Sequence, residues 1–279
     1  MPLPSRSPVY CFTDKKEMDE VNVNTAPKRK PESNEQVVIA IKALKKSFGE
    51  KHVLKDINLE VKKGENVVVL GRSGTGKSVT VQCIVGLLKP DGGSLKVFGD
   101  EVAEMTDKEL KALRIKIGFL FQSGALYDSM TVRENLEFPL TRVLKIKDQQ
   151  EIDKRVDEAL DSVGLLEAID KLPSDLSGGM RKRAGLARTI IVNPEIILYD
   201  EPTTGLDPIT SREISDLILS IQKKYKTTSV IITHDMECAR IAADRMLIMD
   251  DGVFIAEGSF ASLHKSTNKT VEAFFKDIL

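Results

Sequence analysis

Residues 71–78, Gly71-Arg72-Ser73-Gly74-Thr75-Gly76-Lys77-Ser78, constrain this chain more than any other stretch. They lie between an apolar run at 67–70, which reads as a buried strand, and residues 79–85, which read as a helix. Strand, G-x-x-x-x-G-K-S, helix is the context that a phosphate-binding loop requires. Gly71, Gly74 and Gly76 carry no side chain and reach backbone angles closed to other residues. The loop N–H groups can therefore close on phosphate oxygens, and the following helix offers the same anion its positive end. Lys77 is placed to reach the β- and γ-phosphates, and the Ser78 hydroxyl to take one Mg²⁺ position. The stretch predicts a nucleoside triphosphate site.

Composition sets the outer bounds. The chain has 279 residues, 41% hydrophobic and 30% charged, enough for one large α/β domain. A formal net charge of −1 gives no global attraction to nucleic acid, and none is expected as a partner. No apolar run approaches the ~18–20 residues of a membrane-spanning helix. The first residues lack the apolar centre of a signal peptide, and Cys11, Cys83 and Cys238 make no disulfide framework. A cytoplasmic location is expected. The sequon at Asn268 is read as chance.

Residues 1–36 are rich in proline and scattered charge, with few large apolar residues, and read as a disordered tail. From Val37 the pattern changes. Residues 37–44 and 53–61 read as strands of an antiparallel patch, and Lys63-Gly64 as the turn into the strand before the P-loop. Phe48, between them, is an aromatic suited to stacking on a base; taken alone it also reads as core. Farther on, Thr106 with Glu109 forms a capping box for a helix ending near Arg114, and residues 115–121 read as a strand delivering Gln122. A second capping box, Thr131 with Glu134, follows the loop 123–127. That loop continues to Met130 with Asp128 as its single charge, which suggests a docking groove for a helix of another protein; the alternative is that Leu126 and Tyr127 pack under their own helical region.

Ile152, Val156, Ala159, Leu160 and Val163 make one apolar helical face. Ser177, Gly178 and Gly179 then open a helix with a buried face at Ala184, Ala187, Ile190 and Ile191. Ser177 is a good N-cap and the glycines leave first-turn N–H groups uncovered, so this is either a second anion site or an ordinary capped helix. Residues 196–201 form an apolar strand ending in two carboxylates, Asp200 and Glu201. Two charges at a buried strand tip are costly without a cation, and Mg²⁺ on a phosphate supplies one. Residues 228–233 are another buried strand, and it ends at His234. Asp251-Gly252 reads as a hairpin, and residues 268–279 as a closing helix with Val271, Phe274, Phe275 and Ile278 on one side.

Taken together, residues 37–258 closely resemble the ATP-binding cassette (ABC) ATPases. Residues 71–78 resemble Walker A, 196–200 Walker B, Gln122 the Q-loop, 176–180 the signature motif, 204–207 the D-loop and His234 the H-loop. Phe48 falls where the family places its adenine-stacking aromatic. One departure is Met180, where the commonest signature has Gln. Within the family, Gln122-Ser123-Gly124-Ala125-Leu126 together with Gly178-Gly179-Met180 looks like the subgroup of MlaF-type ATPases that powers Mce-type phospholipid transport.

The resemblance implies an α/β P-loop core, an antiparallel β subdomain, an inserted helical subdomain at about 123–192 and a single ATPase domain over 37–279. It implies ATP bound by Gly71, Arg72, Ser73, Gly74, Thr75, Gly76, Lys77, Ser78 and Val79 with Phe48. It implies Mg²⁺ held by Ser78, Gln122 and Asp200, with Glu201 as general base, His234 on the γ-phosphate, and Lys77 and Gln122 completing the catalytic set. Ser177, Gly178 and Gly179 are expected to meet the γ-phosphate of a second copy in a head-to-tail dimer. The further partners it implies are an integral membrane permease and an Mce-type lipid-binding protein, with the chain peripheral on the inner face of the cell membrane. Other readings are an amino-acid importer, a lipoprotein-release complex, or a soluble ABC ATPase acting on DNA or ribosomes.

Overall fold

The computed structural model describes residues 36–276. The expected tail lies outside them except for Gln36, whose carbonyl accepts the Lys63 N–H at 2.9 Å and so lengthens the first hairpin by a residue. Ile278 also falls outside the described residues.

Strands β1 (Val37–Phe48) and β2 (Lys51–Lys62) form that hairpin, and β3 (Asn66–Gly71) leads into α1 (Lys77–Ile84). Strands β4 (Gly92–Val97) and β5 (Asp100–Glu101) precede α2 (Asp107–Lys116), and β6 (Ile117–Leu120) precedes the helices α3 (Val132–Phe138), α4 (Gln149–Ser162) and α5 (Gly178–Ile190). Then come β7 (Ile196–Asp200), α6 (Pro208–Tyr225), β8 (Thr228–Thr233), α7 (Met236–Ala242), the hairpin β9 (Arg245–Asp250) and β10 (Val253–Gly258), and the short helices α8 (Phe260–His264) and α9 (Lys269–Lys276).

The strands order as β5-β4-β1-β2-β10-β9-β3-β8-β7-β6. β9, β3, β8, β7 and β6 run parallel, while β1, β2, β4 and β5 pair antiparallel, as the sequence leads one to expect. The continuous apolar runs of the parallel strands have a two-sided purpose. Val68, Leu70, Ile197, Tyr199 and Ile231 enter the core shared with α3–α7, whereas Val67, Val69, Leu198, Val230 and Ile232 enter the core under α1 and the antiparallel strands. With both faces covered, period-two alternation disappears from the sequence. Register fixes the consequence for function. Leu70 pairs with Thr233 and Asp200 with Ile232, so β3, β7 and β8 finish along one sheet edge. Gly71, Asp200 and His234 therefore meet there, at the carboxyl ends where α/β sheets bind ligands.

The apolar faces of α4 and α5 are buried as expected, at about 1.5–3 kcal/mol for each large side chain removed from water. Both capping boxes are formed. The 115–121 strand is shorter than expected. α2 keeps Ile115 and Lys116, because Arg114 anchors its last turn by donating to the Val85 and Gly86 carbonyls at 3.0 and 2.8 Å. Gln122 consequently stands two residues beyond β6. A π-helical turn at Pro139–Val143 was not foreseen; Pro139 has no N–H for the i−4 bond, and the Thr141 hydroxyl donates back to Glu137 O at 3.0 Å.

Candidate active site

The P-loop glycines do different work. Gly74 and Gly76 adopt φ of +82° and +108°, in the left-handed region. Gly71 does not; there a Cβ would lie 2.6 Å from the Met249 carbonyl, so close approach rather than φ requires glycine. Gly76 caps α1 with no side chain, which leaves the first-turn N–H groups facing the loop interior. Arg72 and Ser73 are exposed and Thr75 and Val79 half-buried; the Thr75 hydroxyl donates to Arg72 O at 2.9 Å and stiffens the turn.

Lys77 is buried, and its ammonium is folded onto the loop itself. It donates to Gly71 O at 2.7 Å and Arg72 O at 3.0 Å and lies 3.4 Å from Glu201 Oε1. Two carbonyls and a carboxylate thus satisfy the buried ammonium. Across the strand tips the Ser78 hydroxyl donates to Asp200 Oδ1 at 3.1 Å. Burial pushes the Asp200 carboxyl up from its ordinary value, the Ser78 bond opposing it. A half-buried carboxylate beside a hydroxyl suits a hard cation whose other ligands are phosphate and water oxygens. Among the described residues no group of three or more His, Cys, Asp or Glu is arranged to hold a metal ion by itself.

Glu201 follows β7 in a left-handed conformation, φ +51°. Its Oε2 is 2.8 Å from His234 Nδ1 and accepts the Thr204 hydroxyl at 3.2 Å and the His234 N–H at 3.3 Å. The structure therefore brings Lys77, Ser78, Asp200, Glu201 and His234 into one cluster. Gln122 is apart from it. Its side chain is exposed, and among the described residues no hydrogen bond links that side chain to Ser78 or Asp200; its carbonyl instead accepts the Lys182 ammonium at 2.5 Å. Ser177 is exposed and its hydroxyl caps α5, accepting the Met180 N–H at 3.2 Å, with Gly178 and Gly179 in the first turn. Phe48 is 48% exposed at the end of β1, which removes the core alternative and leaves a face open. Leu126 packs against the larger core, contrary to its expected place in an open groove, while Tyr127 stays exposed with Phe138 and Arg188 beside its ring at 5.0 Å each.

Three residues were missed in the sequence. Lys182 is buried and also donates to Glu201 O at 3.2 Å. Asn135 is fully buried and pins the 127–131 turn, accepting the Tyr127 N–H at 2.7 Å and donating toward the Tyr127, Met130 and Thr131 carbonyls. Asp235 caps α7 and accepts the Thr203 hydroxyl at 2.8 Å, tying the turn after Glu201 to the segment after His234. The available signal was polarity inside an apolar stripe: Lys182 shares a helical face with Gly179 and Leu186, and Asn135 with Val132 and Leu136.

A family profile described as ABC transporter matches residues 54–204. The protein TRIGALACTOSYLDIACYLGLYCEROL 3, chloroplastic, of Arabidopsis thaliana is 41% identical over 260 residues, 87% of this chain and 74% of its own length. The probable ribonucleotide transport ATP-binding protein mkl of Mycobacterium leprae is 45% identical over 210 residues, 75% of this chain; the match spans about 60% of that relative. Among solved structures, the ATP-binding cassette MJ0796, dimeric and bound to ADP and Pi in a post-hydrolysis state, aligns with a TM-score of 0.73 at 34% identity, over 79% of this chain and 98% of that one. The chain belongs to the ABC transporter family, and it is an ATP-binding, ATP-hydrolysing cassette.

Proposed function

We propose that the chain is the energy-coupling subunit of a membrane transporter that moves phospholipid or a related lipid, working as a head-to-tail dimer beneath a permease and with an Mce-type lipid-binding protein. The observation that carries the ATPase half is the Lys77–Glu201–His234 cluster beside the Ser78–Asp200 pair. When a triphosphate enters, Lys77 exchanges the Gly71 and Arg72 carbonyls for phosphate oxygens and releases Glu201 Oε1. Glu201, still held at Oε2 by His234 and Thr204, then faces the attacking water as general base, an effect of about 10²–10⁴ in rate. Ser78 and Asp200 would hold Mg²⁺, which supplies charge neutralisation at the β- and γ-oxygens. Phe48 offers its exposed face to the adenine ring. Gln122, on the loop beyond β6, reports nucleotide state to the permease. Ser177, Gly178 and Gly179 close on the γ-phosphate of the partner copy.

The lipid half is supported by the Gln122–Leu126 and Gly178–Met180 stretches and by the relative whose name is that of a galactolipid. Ribonucleotide transport, printed in the name of the mycobacterial relative, is the competing reading. Among the described residues no helix is long and apolar enough to cross a membrane, and the proposed permease is a separate chain. We place the chain on its inner face. Exposed apolar side chains lie on the loop at Tyr127 and beside it at Phe121 and Val143, and they suit a permease helix better than Leu126 does. Purification of the chain from membranes decides between the readings. A permease and a lipid-binding Mce protein should co-purify, and Tyr127→Glu should lose them while still binding ATP. A ribonucleotide-binding component in their place, or undiminished yield with Tyr127→Glu, would contradict the proposal.

A further inference from the structure

Lys182 has an unusual position for a lysine. It lies on the buried face of α5, 6% exposed, and its ammonium reaches two carbonyls that belong to separate segments: Gln122 O at 2.5 Å and Glu201 O at 3.2 Å. Burying an ammonium is costly, and burial accordingly pushes the Lys182 pKa down while Asp200 and Glu201 oppose the shift. An apolar residue would fill the same space without that cost. What a cationic side chain with several donors supplies, and an apolar one does not, is a charge-assisted bond to both carbonyls at once.

The Glu201 backbone is what most needs such support. A non-glycine residue in the left-handed region costs roughly 1–2 kcal/mol and persists only where its surroundings hold it. Here the Glu201 N–H donates to Ile232 O at 2.9 Å on one side of the residue, and on the other the Glu201 carbonyl accepts the Lys182 ammonium at 3.2 Å and, closing its own turn, the Thr204 N–H at 3.3 Å. The Gln122 loop rides on the same helix. A Cβ at Gly185, one turn along α5, would meet Gly124 O at 2.7 Å. Helix, loop and carboxylate backbone are thereby joined through one side chain, which comes from the helix that Ser177 opens.

Resting on the roles given above to Glu201 and Gln122, we propose that Lys182 is a positioning residue: it sets the Glu201 carboxylate for hydrolysis and transmits displacement of the Gln122 loop to it. The test measures kcat, KM and ATP affinity in the full chain for Lys182→Met, Lys182→Arg and Glu201→Gln, each with a thermal melt. Lys182→Met should melt cooperatively and bind ATP like wild type, yet lose about 10- to 100-fold in kcat, the scale of a catalytic group displaced by around 1 Å. Lys182→Arg, which keeps the cation, should recover most of the rate. If Lys182→Met fails to fold, Lys182→Gln serves for the same comparison, keeping a donor without the charge. Wild-type kcat in the charge-free variant, alongside a slow Glu201→Gln, would overturn the positioning role alone. Parallel loss of ATP affinity and kcat would overturn it too, by making Lys182 merely structural. A Glu201→Gln variant with wild-type kcat would instead overturn the parent reading.

Discussion

Asp200 sits half out of water, supported by a single hydroxyl, Ser78 Oγ at 3.1 Å. Because burial raises its pKa, the folded protein holds more protons at this site than the unfolded chain does. Stability from this group is therefore greatest in acid and falls as pH rises through the folded-state pKa. At neutral pH the nucleotide-free protein carries a carboxylate it disfavours. Asp200→Asn keeps the volume and an acceptor for Ser78 while removing the charge. It should raise the melting temperature without nucleotide and abolish ATP hydrolysis with Mg²⁺. A lowered melting temperature would show that the charge itself holds the strand tips together through Lys77 and Lys182. Lys77 illustrates the same economy from the other side, its buried cation being satisfied by Gly71 O, Arg72 O and Glu201.

Among the elements, α3 shows what one polar residue contributes to a loop. Asn135 closes the 127–131 turn that carries the exposed Tyr127, and no other described side chain bonds the Tyr127 N–H. Asn135→Ala leaves that half-buried donor unpaired and removes a fully buried side chain, so urea unfolding should show a loss of about 1–3 kcal/mol. A change within a few tenths would mean that the turn is held by packing alone. This element also marks how far the sequence could be read. Apolar runs, capping boxes and the glycine-rich loop are local patterns, and they placed β3, β7, β8, α1 and the faces of α4 and α5. The cluster of Lys77, Ser78, Asp200, Glu201 and His234 followed, because strands that end at one edge bring their tips together. Lys182, Asn135 and Asp235 act through side-chain contacts with segments chosen by the tertiary fold; Lys182 meets a carbonyl 60 residues away. No periodicity encodes such a partner. The end of α2 was hidden for the same reason, since Arg114 reaches back to residues 85 and 86.

At the scale of the whole molecule, a cassette fold with one P-loop carries a second glycine-opened helix, α5, whose first turn is exposed at Ser177. Among the described residues no hydrogen bond joins Ser177 to the P-loop of its own chain. In the proposed head-to-tail dimer each copy would carry two half-sites completed by the opposite copy, and ATP would act by binding the closed dimer more tightly than the open one. The most direct measurement is the mass in solution of the full-length Glu201→Gln protein with and without Mg²⁺ and ATP. The protein should run at 30.9 kDa without nucleotide and at twice that mass with it, with Ser177→Arg in the same background still binding ATP but remaining at the single-chain mass. A Glu201→Gln protein that binds ATP and stays at 30.9 kDa, or a Ser177→Arg variant that doubles its mass as readily, would contradict it.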